Sequence, residues 1–100
     1  MSNTVFDLNG PTLTVKPIGE LDSMSAPIFE EEFSRHLSDG TDIIVDFKEV
    51  SYISSAGIRA LLATENALEK RGAKMKLIHV NEHIIEIFEL VGFMDVITVE

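Results

Sequence analysis

The chain of 100 residues has no cysteine. That removes disulfides, thiol nucleophiles and cysteine-ligated metal sites, and it fits a reducing compartment. Cations are scarce as well: eight Lys and Arg stand against seventeen Asp and Glu, for a formal net charge of −9. A surface that grips nucleic-acid phosphates needs clustered Lys and Arg, and anionic lipid heads ask for the same. Nucleic acid and membrane are therefore not expected partners. A basic protein surface suits this charge better, because long-range attraction raises the association rate; the same charge also serves simply to keep the chain soluble. No window approaches the roughly 18 apolar residues of a membrane span. The opening MSNTVFDLNG has no basic region followed by an apolar core. A soluble cytoplasmic protein is the expectation.

Several chemistries lack their residues. His36, His79 and His83 fall in different predicted elements, apart from the 79/83 pair astride a strand end and a helix start, and no HExxH spacing accompanies them. No metal and no cofactor are expected. A GxSxG nucleophile elbow is absent, since the glycine follows the serines at Ser54 and Ser55 and none precedes them. Phosphate-cradling glycine-rich motifs are absent too. Asp46, at the end of a central strand, suits an aspartyl-phosphate receiver, but the loop at Asn9-Gly10 lacks the acidic residues that would hold a divalent ion. The chain reads as a protein without catalysis of its own.

What is present is one globule. At 45% apolar and 25% charged residues, the length suits a single domain over residues 1–100 with one core. Val5 to Leu8 and Thr12 to Ile18 read as strands joined at Asn9-Gly10, a hairpin signal because both residues tolerate positive φ. Gly19 permits a turn, Asp22 can begin one through its side chain, Ser25 can cap, and Pro27 suits a first helical turn. The spacing predicts a helix over 26–37 with Phe29, Phe33 and Leu37 buried and Glu31, Ser34 and Arg35 outward. Glu30, Glu31 and Glu32 would suit the positive end of its dipole. After the SDGTD turn cluster, IIVDF reads as a central strand buried on both faces. A second helix is predicted over 56–70 with Leu61, Leu62 and Leu68 buried and Gly72 as its left-handed stop. KMKLIHV is a strand with Met75, Leu77 and His79 on one face. Asn81 caps a third helix whose Ile84, Ile85, Phe88 and Val91 form a stripe. Gly92 ends it, Phe93 and Met94 anchor the following loop, and residues 96–99 have β character. Strands alternating with helices imply parallel pairs with right-handed crossovers beside the antiparallel hairpin: an α/β fold with a mixed sheet.

The chain is organised around DFKEVSYISSAGIRALL, Asp46 to Leu62: a strand end, a tight polar turn and a helix start. The two serines stand where the first helical N–H groups lack intrahelical partners and the macrodipole favours negative charge. A phosphate would be held well there. A serine at that place also serves as an ordinary helix cap.

YISSAGIRALL, together with GELDSMSAP at Gly19 to Pro27, resembles the two signature stretches of the STAS domain, and in particular of the bacterial anti-sigma factor antagonists. The resemblance of layout covers almost the whole chain. It implies a mixed β-sheet, an N-terminal antiparallel hairpin plus parallel strands, covered by three to four helices. It also implies that Ser55 accepts phosphate from a partner that is both anti-sigma factor and serine kinase, that the unphosphorylated form binds this partner so that sigma factor is released, and that a phosphatase restores it. Gly19, Glu20, Leu21, Asp22, Ser54, Ala56, Gly57 and Ile58 would form the recognition surface. The chain departs from a common family form in having Ser54 where aspartate precedes the acceptor and Ala56 where serine follows it. Two other readings stay open: a STAS scaffold subunit of another bacterial regulatory complex, and a small phosphotransfer protein or hydrolase using Ser55 or Asp46.

Overall fold

In the computed structural model, which describes residues 4–36 and 38–100, the chain opens as the expected hairpin of β1 (Val5–Asn9) and β2 (Thr12–Lys16). The turn lies one residue later than expected. Asn9 still pairs with Thr12 across the ladder, and Gly10, at φ 62°, takes the left-handed position with Pro11 beside it. Then follow β3 (Gly19–Leu21), α1 (Ala26–Ser34), β4 (Asp42–Asp46), β5 (Val50–Ile53), α2 (Ser55–Lys70), β6 (Lys74–Ile78), α3 (Glu82–Leu90), a 3-10 turn over Phe93–Asp95, and β7 (Thr98–Val99).

Five strands form a mixed sheet in the order β1-β2-β4-β6-β7, antiparallel only between β1 and β2, with β4 in the middle as expected. Leu13, Val15, Ile43, Val45, Met75 and Leu77 alternate along the strands and are all buried, in one core with Phe29 and Phe33 of α1, Leu61 and Leu68 of α2, and Ile84 and Phe88 of α3. The intervening residues Thr14, Ile44 and Lys76 are only half-buried. The helices thus cover one face of the sheet, and IIVDF is not buried on both faces as its continuous apolar run suggested; Ile44 lies on the barer side.

A second sheet of two parallel strands, β3 and β5, was not expected. Gly19 to Leu21 read as a turn and Val50 to Ile53 as a connection, because runs of three and four residues are too short to show a period. This small sheet carries the loop ahead of α1 alongside the chain entering α2.

The helices differ from expectation mainly at their ends. α1 stops at Ser34, and Leu37 lies outside the described residues. Its first turn holds no acidic residue, so Glu30, Glu31 and Glu32 sit beyond the reach of the dipole's positive end. α2 ends as expected: Gly72, at φ 78°, donates to Glu69 O, and Ala73 N donates to Leu68 O. Of its three leucines, Leu61 and Leu68 are fully buried while Leu62 is half-buried. Asn81 caps α3, its Oδ1 accepting from Ile84 N at 2.9 Å. Val91 falls just past the end of that helix and is 57% exposed, so the stripe keeps only Ile84 and Phe88 deep and Ile85 half-covered. Phe93 is buried and Met94 exposed. His79 is not on the inner face; it is exposed, at φ 58°, with Nδ1 2.9 Å from Asp46 Oδ1.

Candidate functional site

The two serines divide the roles that the sequence left shared between them. Ser54, extended at φ −99° and ψ 176°, is the N-cap of α2. Its N–H donates to Leu21 O at 2.9 Å, its carbonyl accepts from Ile58 N at 3.0 Å, and its Oγ accepts from Gly57 N at 3.4 Å. Ser54 is therefore spent on joining β3, β5 and α2. Ser55 is the first helical residue, is exposed, and its hydroxyl makes no hydrogen bond among the described residues. No acidic residue occupies the first turn of the helix, so nothing there opposes an added negative charge.

Gly57 explains how β3 comes so close. A Cβ on this residue would lie 2.6 Å from Leu21 O and 2.6 Å from Ile53 Cγ1; only a glycine lets the helix lie against both strands of the small sheet. Next to it the β3–α1 loop is held by a compact network. Gly19, at φ 97°, donates its N–H to Glu49 O at 2.9 Å. Asp22 Oδ1 accepts from the backbone N–H groups of Met24 and Ser25, each at 3.0 Å, which bears out its turn-starting reading. The Ser25 and Met24 amides hold the Asp22 carboxyl below its usual range. Ser25 sits at the N-cap position of α1 without capping it. Its hydroxyl instead donates to Glu20 O at 2.6 Å and accepts from Asp22 N at 3.0 Å.

The residues expected at the recognition surface are thus brought together, in two layers. Glu20 and Ser55 are exposed, Gly19, Asp22, Ser54 and Ala56 are half-buried, and Leu21, Gly57 and Ile58 are buried. The buried three hold the surface in place and offer little of it.

One feature escaped the sequence. Beside Ser55, a cleft of about 250 Å³ runs between α2 and the chain after α3, with Arg59 and Leu62 on one wall and Val91, Phe93 and Val96 on the other. Val96 is 56% exposed. Its two walls are distant in sequence, and the sequence reading, which places Val91 on the buried stripe of the third helix, carries no sign of it.

Asp46 is occupied elsewhere. Its Oδ1 accepts from Lys48 N at 2.9 Å and meets His79 Nδ1 at 2.9 Å. Burial alone would push this carboxyl up, but the Lys48 amide and His79 outweigh it and hold it low. His36 stacks on Phe6 and meets Asp39 at 2.9 Å. Among the described residues no three His, Asp or Glu side chains gather as a metal site, and no helix is long and apolar enough to cross a membrane.

Comparison with known proteins agrees with this geometry. The STAS domain family matches residues 4–100. An anti-sigma-B factor antagonist of Bacillus subtilis (strain 168) is 31% identical over 91 residues, 91% of this chain and 84% of the relative. Among solved structures, an anti-sigma factor antagonist from Mycobacterium paratuberculosis superposes with a TM-score of 0.87 at 20% identity, over 99% of this chain and 85% of the other. The Bacillus cell fate determinant SpoIIAA in its phosphorylated form gives 0.74 at 19% identity, over 97% and 90%. The mixed sheet with its leading hairpin, the three helices and the match along nearly all of its length place the chain in the STAS domain family.

Proposed function

We propose that this protein is an anti-sigma factor antagonist of the bacterial cytoplasm whose binding is switched by phosphorylation of Ser55. Unphosphorylated, it binds an anti-sigma factor that is also a serine kinase, and sigma factor is released; phosphorylated, it does not bind, and a phosphatase restores it. The observation that carries this reading is the free, exposed hydroxyl of Ser55 at the start of α2, beside the β3–α1 loop, in a chain that resembles antagonists along most of its length. That a structural neighbour was solved in a phosphorylated form accords with it.

The switch works through charge. A phosphate adds about −1.5 to −2 charge and three acceptor oxygens at neutral pH, and the N–H groups at the start of a helix accommodate it without unfolding anything. A partner lying over Gly19, Glu20, Leu21 and Asp22 and over Ser54, Ala56, Gly57 and Ile58 then meets a strongly hydrated dianion that must be displaced or desolvated. The net charge of −9 favours a partner with a basic face.

The test is incubation of the purified chain with ATP and a kinase of this kind, followed by intact-mass measurement. Ser55→Ala should abolish labelling and Ser54→Ala should leave it, because Ser54 Oγ is turned into the cap. The reverse pattern would reassign the acceptor. Turnover of ester substrates by the unmodified protein would instead favour a hydrolase.

A further inference from the structure

The cleft beside Ser55 carries a single cation among its lining residues, Arg59. This side chain is exposed and makes no ion pair or hydrogen bond among the described residues. Its own helix offers it nothing: the residues three and four away are Ala56, Leu62, Ser55 and Ala63, none of which carries charge. At the C-terminal end of α1 the same spacing is filled, with Arg35 as the residue that follows the helix. Arg35 Nη2 lies 2.9 Å from Glu31 Oε1, an acid four residues toward the N-terminus. A phosphate on Ser55 would stand to Arg59 as Glu31 stands to Arg35, with a second charge and further acceptor oxygens. The wall of Val91, Phe93 and Val96 facing Arg59 is apolar, so it offers Arg59 no competing hydrogen-bond partner and screens charge across the cleft mouth less than water on an open helix does.

We propose that Arg59 is a positioning residue for the phosphorylated state: its guanidinium folds back over the cleft mouth and donates to the phosphate oxygens on Ser55, fixing the dianion against α2. This rests on Ser55 being the acceptor. Before modification Arg59 is an unpaired cation, among the described residues, beside the surface that the partner covers; after it, that cation is neutralised by the phosphate. One modification thus places an anion on the recognition surface and removes its neighbouring cation.

The test does not depend on any kinase. Phosphoserine is installed at position 55 during translation, and its second ionisation is followed by phosphorus NMR in the whole chain. With Arg59 in place the titration midpoint should lie about half a unit below that of the Arg59→Gln variant, since the cation favours the dianion. Arg59→Lys should retain a downward shift. Phosphoserine installed at position 54, five residues from Arg59 and off its face of the helix, should titrate alike with and without the arginine. Equal midpoints at position 55 in the parent and Arg59→Gln proteins would overturn the proposal. A kinase that labels Ser55 alongside equal midpoints would leave the switch standing and remove Arg59 from it. A shifted midpoint in a protein that no such kinase labels would sink the switch and keep the Arg59 contact. Arg59→Gln should leave the melting of the unphosphorylated chain unchanged, which separates the effect from a structural one.

Discussion

Gly57→Ala sets two effects of opposite sign against each other. In an ordinary helix interior, alanine is better than glycine by about 1 kcal/mol, so propensity alone predicts a more stable protein. Here the added methyl would lie 2.6 Å from Leu21 O, 2.6 Å from Ile53 Cγ1 and 3.1 Å from Leu21 Cβ. Two of these atoms belong to Leu21, which is buried, and the third to the fully buried Ile53; one of them is a backbone carbonyl already accepting from Ser54 N at 2.9 Å. A carbonyl in that position cannot turn aside, so β3 must shift away from α2 and strain the bond that holds Ser54. Overpacking of this kind costs typically 1–3 kcal/mol, and more when backbone must move. Because backbone must move here, the cost lies at the upper end of that range, about 2–3 kcal/mol; with about 1 kcal/mol of propensity deducted, the expected net loss is about 1–2 kcal/mol, roughly 4–8 °C in melting temperature for each kcal/mol in a domain of this size. Partner affinity should fall as well, because the loop from Gly19 to Asp22 moves relative to Ser55. Chemical denaturation of the two proteins decides the matter. An unchanged or raised midpoint in the alanine variant would refute the close approach of β3 and α2 on which the site is built.

Two further substitutions probe the surrounding structure. Leu61→Ala, at a fully buried position in α2, should cost about 2–5 kcal/mol, with Leu62→Ala costing less because that side chain is half-covered; equal losses in denaturation would show that the buried face of α2 is misassigned. Among the described residues Glu65 has a buried Oε2 without a hydrogen-bond partner, and burial, helped by Glu69, raises its carboxyl above the ordinary 4.5. The folded state then binds this proton more tightly than the unfolded state, so stability falls as pH rises from 4.5 through the raised value. Glu65→Gln should therefore be more stable than the parent at pH 7 and gain nothing below pH 4, as thermal melts at the two pH values would show. A parent protein more stable than the variant at neutral pH would contradict the burial of that charge.

The sequence spoke clearly where a single residue type has one conformational use. The glycine of Asn9-Gly10-Pro11 closed the hairpin, Gly72 stopped α2, and Asn81 capped α3, because each supplies a backbone conformation or an acceptor that few other residues can. It was mute where the deciding contact joins distant segments. β3 and β5 are each too short to announce themselves and exist because they pair with each other and flank Gly57. Two adjacent serines cannot be told apart by spacing; the bond from Ser54 N to Leu21 O, across more than thirty residues, is what assigns the cap to Ser54 and frees Ser55. Ser25 read as a cap for the same local reason and was claimed instead by Glu20 and Asp22. The cleft that brings Arg59 beside Ser55 depends on where the chain runs after α3, which no helical pattern in either segment reveals.

The central claim is that a charge on Ser55 ends partner binding without disturbing the fold. Titration calorimetry of the unmodified, phosphorylated and Ser55→Ala proteins against the kinase-type anti-sigma factor measures it directly, with circular dichroism and melting recorded on the same samples. The account predicts nearly identical spectra and melting for all three, tight binding by the unmodified and alanine forms, and an affinity for the phosphorylated form lower by about a hundredfold, the equivalent of a loss of about 3 kcal/mol. Equal affinities with and without phosphate would contradict it.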